Sequence, residues 1–165
     1  MKKTSKKRTL SVRYLITAAI IAALYVVFTG LSAALGLASG VIQVRLSEAL
    51  TVLPYFTNAA VPGVTVGCLL ANLLTGAPLP DIIFGTLASF LGVLGGSLLR
   101  KKKYLIAIPT ILSNALIIPL VLQYAYGVKD AFWYLMLTVG AGEVISAGLL
   151  GGLLLHLLVK HKVFR

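Results

Sequence analysis

The stretch Gln43–Asn58 reads QVRLSEALTVLPYFTN and sets an arginine, a glutamate, a glutamine and an asparagine between two long uncharged runs. No Asp, Glu, Lys or Arg occurs from Tyr14 to Val44, nor again from Ala49 to Pro80. Uncharged runs of this length suit a bilayer, whose hydrocarbon core takes about 20 apolar residues of helix to cross. Against that background Arg45 and Glu48 are not an ordinary solvated face. They stand three apart, where helical side chains become neighbours, so each can shield the other. A charged pair at or just inside a membrane boundary marks a functional site. The plainer alternative is an ion pair that only pins a helix end to the interface, and the residues alone leave both open.

Composition points the same way. The 165 residues are 59% hydrophobic and 12% charged, where soluble domains carry about a quarter charged residues. Mean hydropathy is +0.99. The chain is expected to be an integral membrane protein of one domain over residues 11–165, preceded by a basic cytoplasmic tail over 1–10. The net charge of +11 would suggest nucleic acid if it were spread over one face. Instead the basic residues cluster before Tyr14, at Arg100–Lys103 and in the last six residues. Clusters at the ends of apolar spans set topology and meet anionic headgroups, so no nucleic-acid partner is expected. Cys68 is the one cysteine, which excludes an internal disulfide and a cysteine-based zinc site. His156 and His161 have no partners at metal-ligand spacing and read as interfacial; no metal is expected.

About six transmembrane helices follow from the pattern. The first runs from about Ser11 to Leu35 and carries Ala18, Ala19, Ala22 and Ala23, small residues at four-residue intervals on two adjacent rows. Such faces let another helix approach closely in lipid, either within this subunit or on another protein. After a loop over 36–44 come two short segments, Leu46–Thr57 and one starting at Pro62 and ending near Thr75. At about 1.5 Å per residue the first is only ~18 Å long, so the two are tilted short helices or a re-entrant hairpin. Asp81 is placed to cap a fourth helix, which reaches Leu99. A fifth covers Tyr104–Tyr126 with kinks expected at Pro109 and Pro119. The last spans roughly Ala131–Val159, with Gly148 and Gly152 as a close-packing pair. The positive-inside rule then puts both termini and Arg100–Lys103 in the cytoplasm and the 36–44, 75–81 and 127–130 connections outside.

Glu143 is the sharpest single residue. It lies about 18 Å along its helix from Ala131, and an ionised carboxylate at that depth costs a few kcal/mol. It should face a cavity, a cation or a hydrogen-bonding ligand, or else be a protonated carboxyl bonded to a neighbouring helix. Arg45, Glu48, Asn72, Asn114 and Glu143 are the candidate substrate-binding set, with aromatic walls from Tyr55, Phe56, Tyr124, Tyr126, Trp133 or Tyr134. Carboxylates and amides at the end of an aromatic slot suit a planar heterocycle, because a carboxylate accepts two N–H groups side by side. No P-loop, zinc-protease or nucleophile-elbow motif is present, so no catalytic residues and no enzyme activity are expected.

The run Ile42–Pro54, IQVRLSEALTVLP, with Asn58–Gly67 and Leu74–Gly85, resembles the QueT-type substrate-binding subunits of energy-coupling factor (ECF) transporters. The alanine rows of the first helix are similar to the motif by which such subunits dock on their coupling protein. The resemblance implies a six-helix bundle in the bacterial cytoplasmic membrane that binds a queuosine precursor, a 7-deazaguanine base, from outside. It also implies partners: one transmembrane coupling subunit and two ATP-binding cassette subunits, which use the ATP. This chain itself is expected to bind no cofactor. The rival readings are an ECF subunit for another vitamin, and a self-contained channel or secondary carrier.

Overall fold

The computed structural model describes residues 11–37 and 42–161; the tail expected over 1–10, part of the 36–44 loop and residues 162–165 lie outside these. Among the described residues six helices follow one another and there is no strand. They are α1 (Val12–Ala34), α2 (Leu46–Tyr55), α3 (Ala60–Leu74), α4 (Asp81–Leu98), α5 (Ile108–Tyr124) and α6 (Phe132–Lys160). By length and composition α1, α4 and α6 suffice to cross a membrane, while α3 and α5 are shorter apolar helices.

The surface inverts the pattern of a soluble protein. Leu74, Leu98, Leu149 and Trp133 are all exposed, whereas Ser47, Glu48, Thr51, Ser89, Thr110 and Asn114 are buried. An apolar exterior around a polar-containing interior is stable when lipid is the surrounding solvent, since each buried polar group must find its partner inside. The chain is a membrane protein. Its apolar centre is built from Tyr25, Leu50, Val64, Cys68 and Val93, with Val52, Ile106 and Leu155 in a second cluster.

The key element is α2. It winds as a 3₁₀ helix throughout its ten residues, where such runs rarely exceed one turn. At about 2.0 Å per residue it reaches ~20 Å, against ~15 Å for the same residues as α-helix. Hydrogen bonds fix where it runs. At its start the Leu46 amide donates to Ser32 Oγ, near the end of α1. Just past its end the Asn58 carbonyl accepts from Tyr14, near the start of α1, and the Asn58 side chain accepts from Arg100 at 2.8 Å. The stretch from Tyr14 to Ser32 is about 27 Å of helix, so α2 traverses the length of the bundle and α3 returns.

Glycines on α3 let it lie against α1. A Cβ on Gly63 would come within 2.9 Å of the Ala18 carbonyl, and one on Gly67 within 2.7 Å of Tyr25. Ala18 and Ala22 therefore face α3, while Ala19 and Ala23 point outward. The basic segment Arg100–Lys103 and the last turn of α6 lie at the same end as Tyr14: Lys103 and His156 line one groove there.

Several expectations at helix ends are corrected. The fifth helix begins at Ile108 rather than Tyr104 because Pro109 occupies its first turn, the position where a missing N–H does no harm; Pro109 starts that helix instead of kinking it. Asp81 makes no side-chain cap. Its carboxylate instead accepts from Tyr126 at 2.9 Å, and its carbonyl accepts from Asn72 at 3.3 Å. On α6 the close positions are Gly142 and Gly151, whereas Gly152 has open space and Gly148 only ordinary contacts. The reason is a π-helical stretch, Val144–Leu150, which rotates the face beyond it away from a regular four-residue register.

Candidate functional site

The Gln43–Arg45 segment enters the bundle as extended chain and brings two polar side chains over the middle of α6. Arg45 N donates to Ser146 Oγ at 3.0 Å, and Ser146 Oγ donates in turn to the Gly142 carbonyl at 2.8 Å. Beneath the segment lies a narrow cleft of about 20 Å³ lined by Gln43, Arg45, Asn114, Ile118, Val139 and Glu143. Above it opens a vestibule of about 470 Å³ that shares Gln43, Arg45, Ile118 and Val139 and adds Asp81, Asp130, Tyr134 and Thr138. The vestibule lies at the end of the bundle opposite Arg100–Lys103.

Two atoms at the cleft are conspicuous. Asn114 is 4% exposed and Glu143 8%; the Asn114 amide and the Glu143 carboxylate interact with each other, but so loosely that neither Asn114 Nδ2 nor Glu143 Oε2 completes a hydrogen bond. A buried polar group left unpaired costs about 1–3 kcal/mol. A donor and an acceptor so weakly paired with each other, beside a guanidinium, match a ligand edge that both donates and accepts. Arg45 is within electrostatic reach of both Glu48 and Glu143, so its charge is balanced from two sides.

Of the five residues expected to bind substrate, the fold brings Arg45, Asn114 and Glu143 to one cleft. Glu48 stands behind it, with Oε1 accepting from the Tyr25 hydroxyl and from Ser89 at 3.3 Å, while its Oε2, like that of Glu143, completes no hydrogen bond. That network ties α1, α2 and α4 together in the core, and neither cavity is lined by Glu48. Asn72 also stands apart, bonding Asp81 across the α3–α4 turn. Of the aromatic residues expected as walls, Tyr134 lines the vestibule. Tyr55 and Phe56 do not: they pack edge to face on each other and against Val52, Ile106 and Leu155 at the basic end. The extra length of the 3₁₀ helix carries them there. Tyr124 and Trp133 are exposed on the outside, and Tyr126 closes on Asp81 at the rim. Desolvation first, and then the Asp81 carboxylate, raise the Tyr126 phenol above its ordinary pKa.

Gln43, Asp130 and Thr138 were absent from the expected set. Gln43 lay within the quoted stretch and two residues from Arg45, the separation at which extended chain turns side chains the same way. Thr138 could not have been distinguished from any other threonine in an apolar helix.

The family described as QueT transporter matches residues 15–160. A "Queuosine precursor transporter QueT" from Lactococcus lactis subsp. cremoris is 37% identical over 91 residues, 53% of this chain and 52% of that protein. The matched part thus spans about half the length of this curated relative. No solved structure matches the chain. With the family pattern extending from the first helix to the last, the chain belongs to the QueT transporter family.

Proposed function

We propose that this protein is the membrane-embedded substrate-binding subunit of an ECF-type importer in the bacterial cytoplasmic membrane. It takes up a queuosine precursor, a 7-deazaguanine base, through the vestibule and delivers it inward with an ATP-driven partner module. Membership of the QueT family and the name of the Lactococcus relative support the cargo. The observation that carries the reading is the buried pair Asn114 Nδ2 and Glu143 Oε2, which face each other without completing a hydrogen bond, at the foot of an open vestibule. A vestibule of about 470 Å³ falls within the usual range of small-molecule sites.

In this reading Glu143 accepts from the N–H edge of the guanine-like ring, or pairs with a cationic substituent where the ligand carries one. Arg45 and Asn114 hold the ring carbonyl, and Gln43 closes over it. Glu48 contributes from behind by balancing Arg45, and Asn72 by holding the α3–α4 turn at the rim. The basic end faces the cytoplasm, as the positive-inside rule requires, which puts both chain ends inside and the vestibule outside. The coupling subunit docks on the α1 alanine face, where Ala19 and Ala23 are exposed, and two ATP-binding cassette subunits complete the module. Liposome uptake separates this from a self-contained carrier. Vesicles holding this chain alone should bind radiolabelled 7-deazaguanine base without accumulating it, and accumulation should need the ATP-driven module. ATP-independent accumulation by the chain alone would overturn the proposal.

A further inference from the structure

We infer that Gly142 and Ser146 are positioning residues, a seat on α6 that sets where Arg45 and Gln43 stand over the cleft. The inference rests on the cleft being the substrate site, but the seat itself is a feature of the ligand-free fold.

Gly142 immediately precedes Glu143. A Cβ built on it would run into the carbonyl oxygen of Gln43 and lie 3.0 Å from the carbonyl carbon. The Gln43 backbone therefore rests directly on the α6 backbone, an approach that no other residue permits. One turn later Ser146, 1% exposed, uses its hydroxyl twice: it accepts from Arg45 N and donates to the Gly142 carbonyl. Both sides of the hydroxyl are needed, so a side chain that only donates or only accepts does not replace it. On the opposite flank the segment is tied by Val44 N to the Leu37 carbonyl and by Leu46 N to Ser32 Oγ.

Gln43 and Arg45 are the two cleft residues carried on extended chain rather than on a helix. A binding constellation has to be held within about 0.5 Å of its productive geometry, and extended backbone alone does not do that. The seat on α6 does. It also ties Arg45 to the helix that carries Glu143, so donor and acceptor move as one body. A methyl group at position 142 would lift the segment off this seat and displace the guanidinium, while leaving every cleft side chain chemically intact.

The test uses full-length protein in detergent with Gly142→Ala, Ser146→Ala, Ser146→Thr and, as a control, Gly152→Ala. Hydrogen exchange over residues 42–46, measured without ligand, should speed up at least tenfold in Gly142→Ala and Ser146→Ala. It should stay within twofold of the parent in Ser146→Thr, which keeps the hydroxyl, and in Gly152→Ala. Calorimetric titration with 7-aminomethyl-7-deazaguanine should show Gly142→Ala weakening binding tenfold or more in the parent background. In an Arg45→Gln background the loss from the same change should be at least threefold smaller, because the part of the seat's effect that runs through Arg45 is gone and only the part through Gln43 remains. Equal losses in both backgrounds, or unchanged exchange at 42–46, would overturn the inference. A parent that does not bind this base at all would overturn the substrate reading instead, and the exchange data would still decide the seat. Should Gly142→Ala not fold, Ser146→Ala against Ser146→Thr carries the same comparison.

Discussion

Replacing Glu143 with glutamine isolates the chemistry of the cleft from its shape. The side chain keeps its size, so the packing around a residue that is 8% exposed should be preserved, but one acceptor oxygen becomes a donor. In the free protein the change removes no completed hydrogen bond of Oε2 but does remove one of the two carboxylates that balance Arg45, so the melting temperature in detergent should fall modestly. In the complex a charge-assisted hydrogen bond, of about 1.5–3 kcal/mol, is replaced by donor facing donor. At 1.4 kcal/mol per factor of ten, the Kd for a 7-deazaguanine base should rise roughly 10- to 150-fold. Isothermal calorimetry on parent and variant, each checked by thermal melting, reads both quantities. A Kd within threefold of the parent, in a variant that still melts cooperatively, would refute the assignment of Glu143 to the ligand.

Further consequences follow from the packing. Tyr25→Phe removes the hydroxyl that Glu48 accepts from in the core, and should destabilise the protein by about 1.5–3 kcal/mol, read as a lower melting temperature. Ligand affinity should change far less than in Glu143→Gln. Gly67→Ala places a methyl where 2.7 Å separates it from Tyr25, an overpacking expected to cost about 1–3 kcal/mol. Gly30→Ala, with open space around it, should be neutral or slightly stabilising in the same melting assay. In a Cys68→Ala background, Lys129→Cys should react with a membrane-impermeant maleimide added to intact cells and Lys102→Cys should not. The reverse pattern would invert the proposed orientation.

The six-helix order was legible in the sequence because charge and hydropathy alone delimit apolar spans, and the spans α1, α4 and α6 end within a residue or two of their expected limits. What escaped was conformation inside the spans. Nothing in LSEALTVLPY announces a ten-residue 3₁₀ helix, since such a choice is imposed by neighbours: Gly151 against Ala49 and Val52, and Ser32 on Leu46 N. The π-helical stretch in α6 is silent for the same reason, and it moved the close-packing glycines from the expected Gly148 and Gly152 to Gly142 and Gly151. For the candidate site, rarity points to Arg45, Asn114 and Glu143, which the fold gathers at one cleft, because a polar residue in lipid needs a reason. It does not separate residues that line the cleft from those that stand away from it. Glu48 and Asn72 are as rare as Glu143, yet Glu48 Oε1 is held by Tyr25 and Asn72 by the Asp81 carbonyl, away from the cleft, and only three-dimensional packing reveals that.

Asn114 and Glu143 at the foot of the vestibule are proposed to hold a queuosine precursor. Mass spectrometry of small molecules extracted from the detergent-purified parent and from Glu143→Gln, prepared in parallel from the same host, tests it most directly. The account predicts a 7-deazaguanine base in the parent extract and its loss from the variant. A different compound held equally by both proteins would contradict it in cargo and in site.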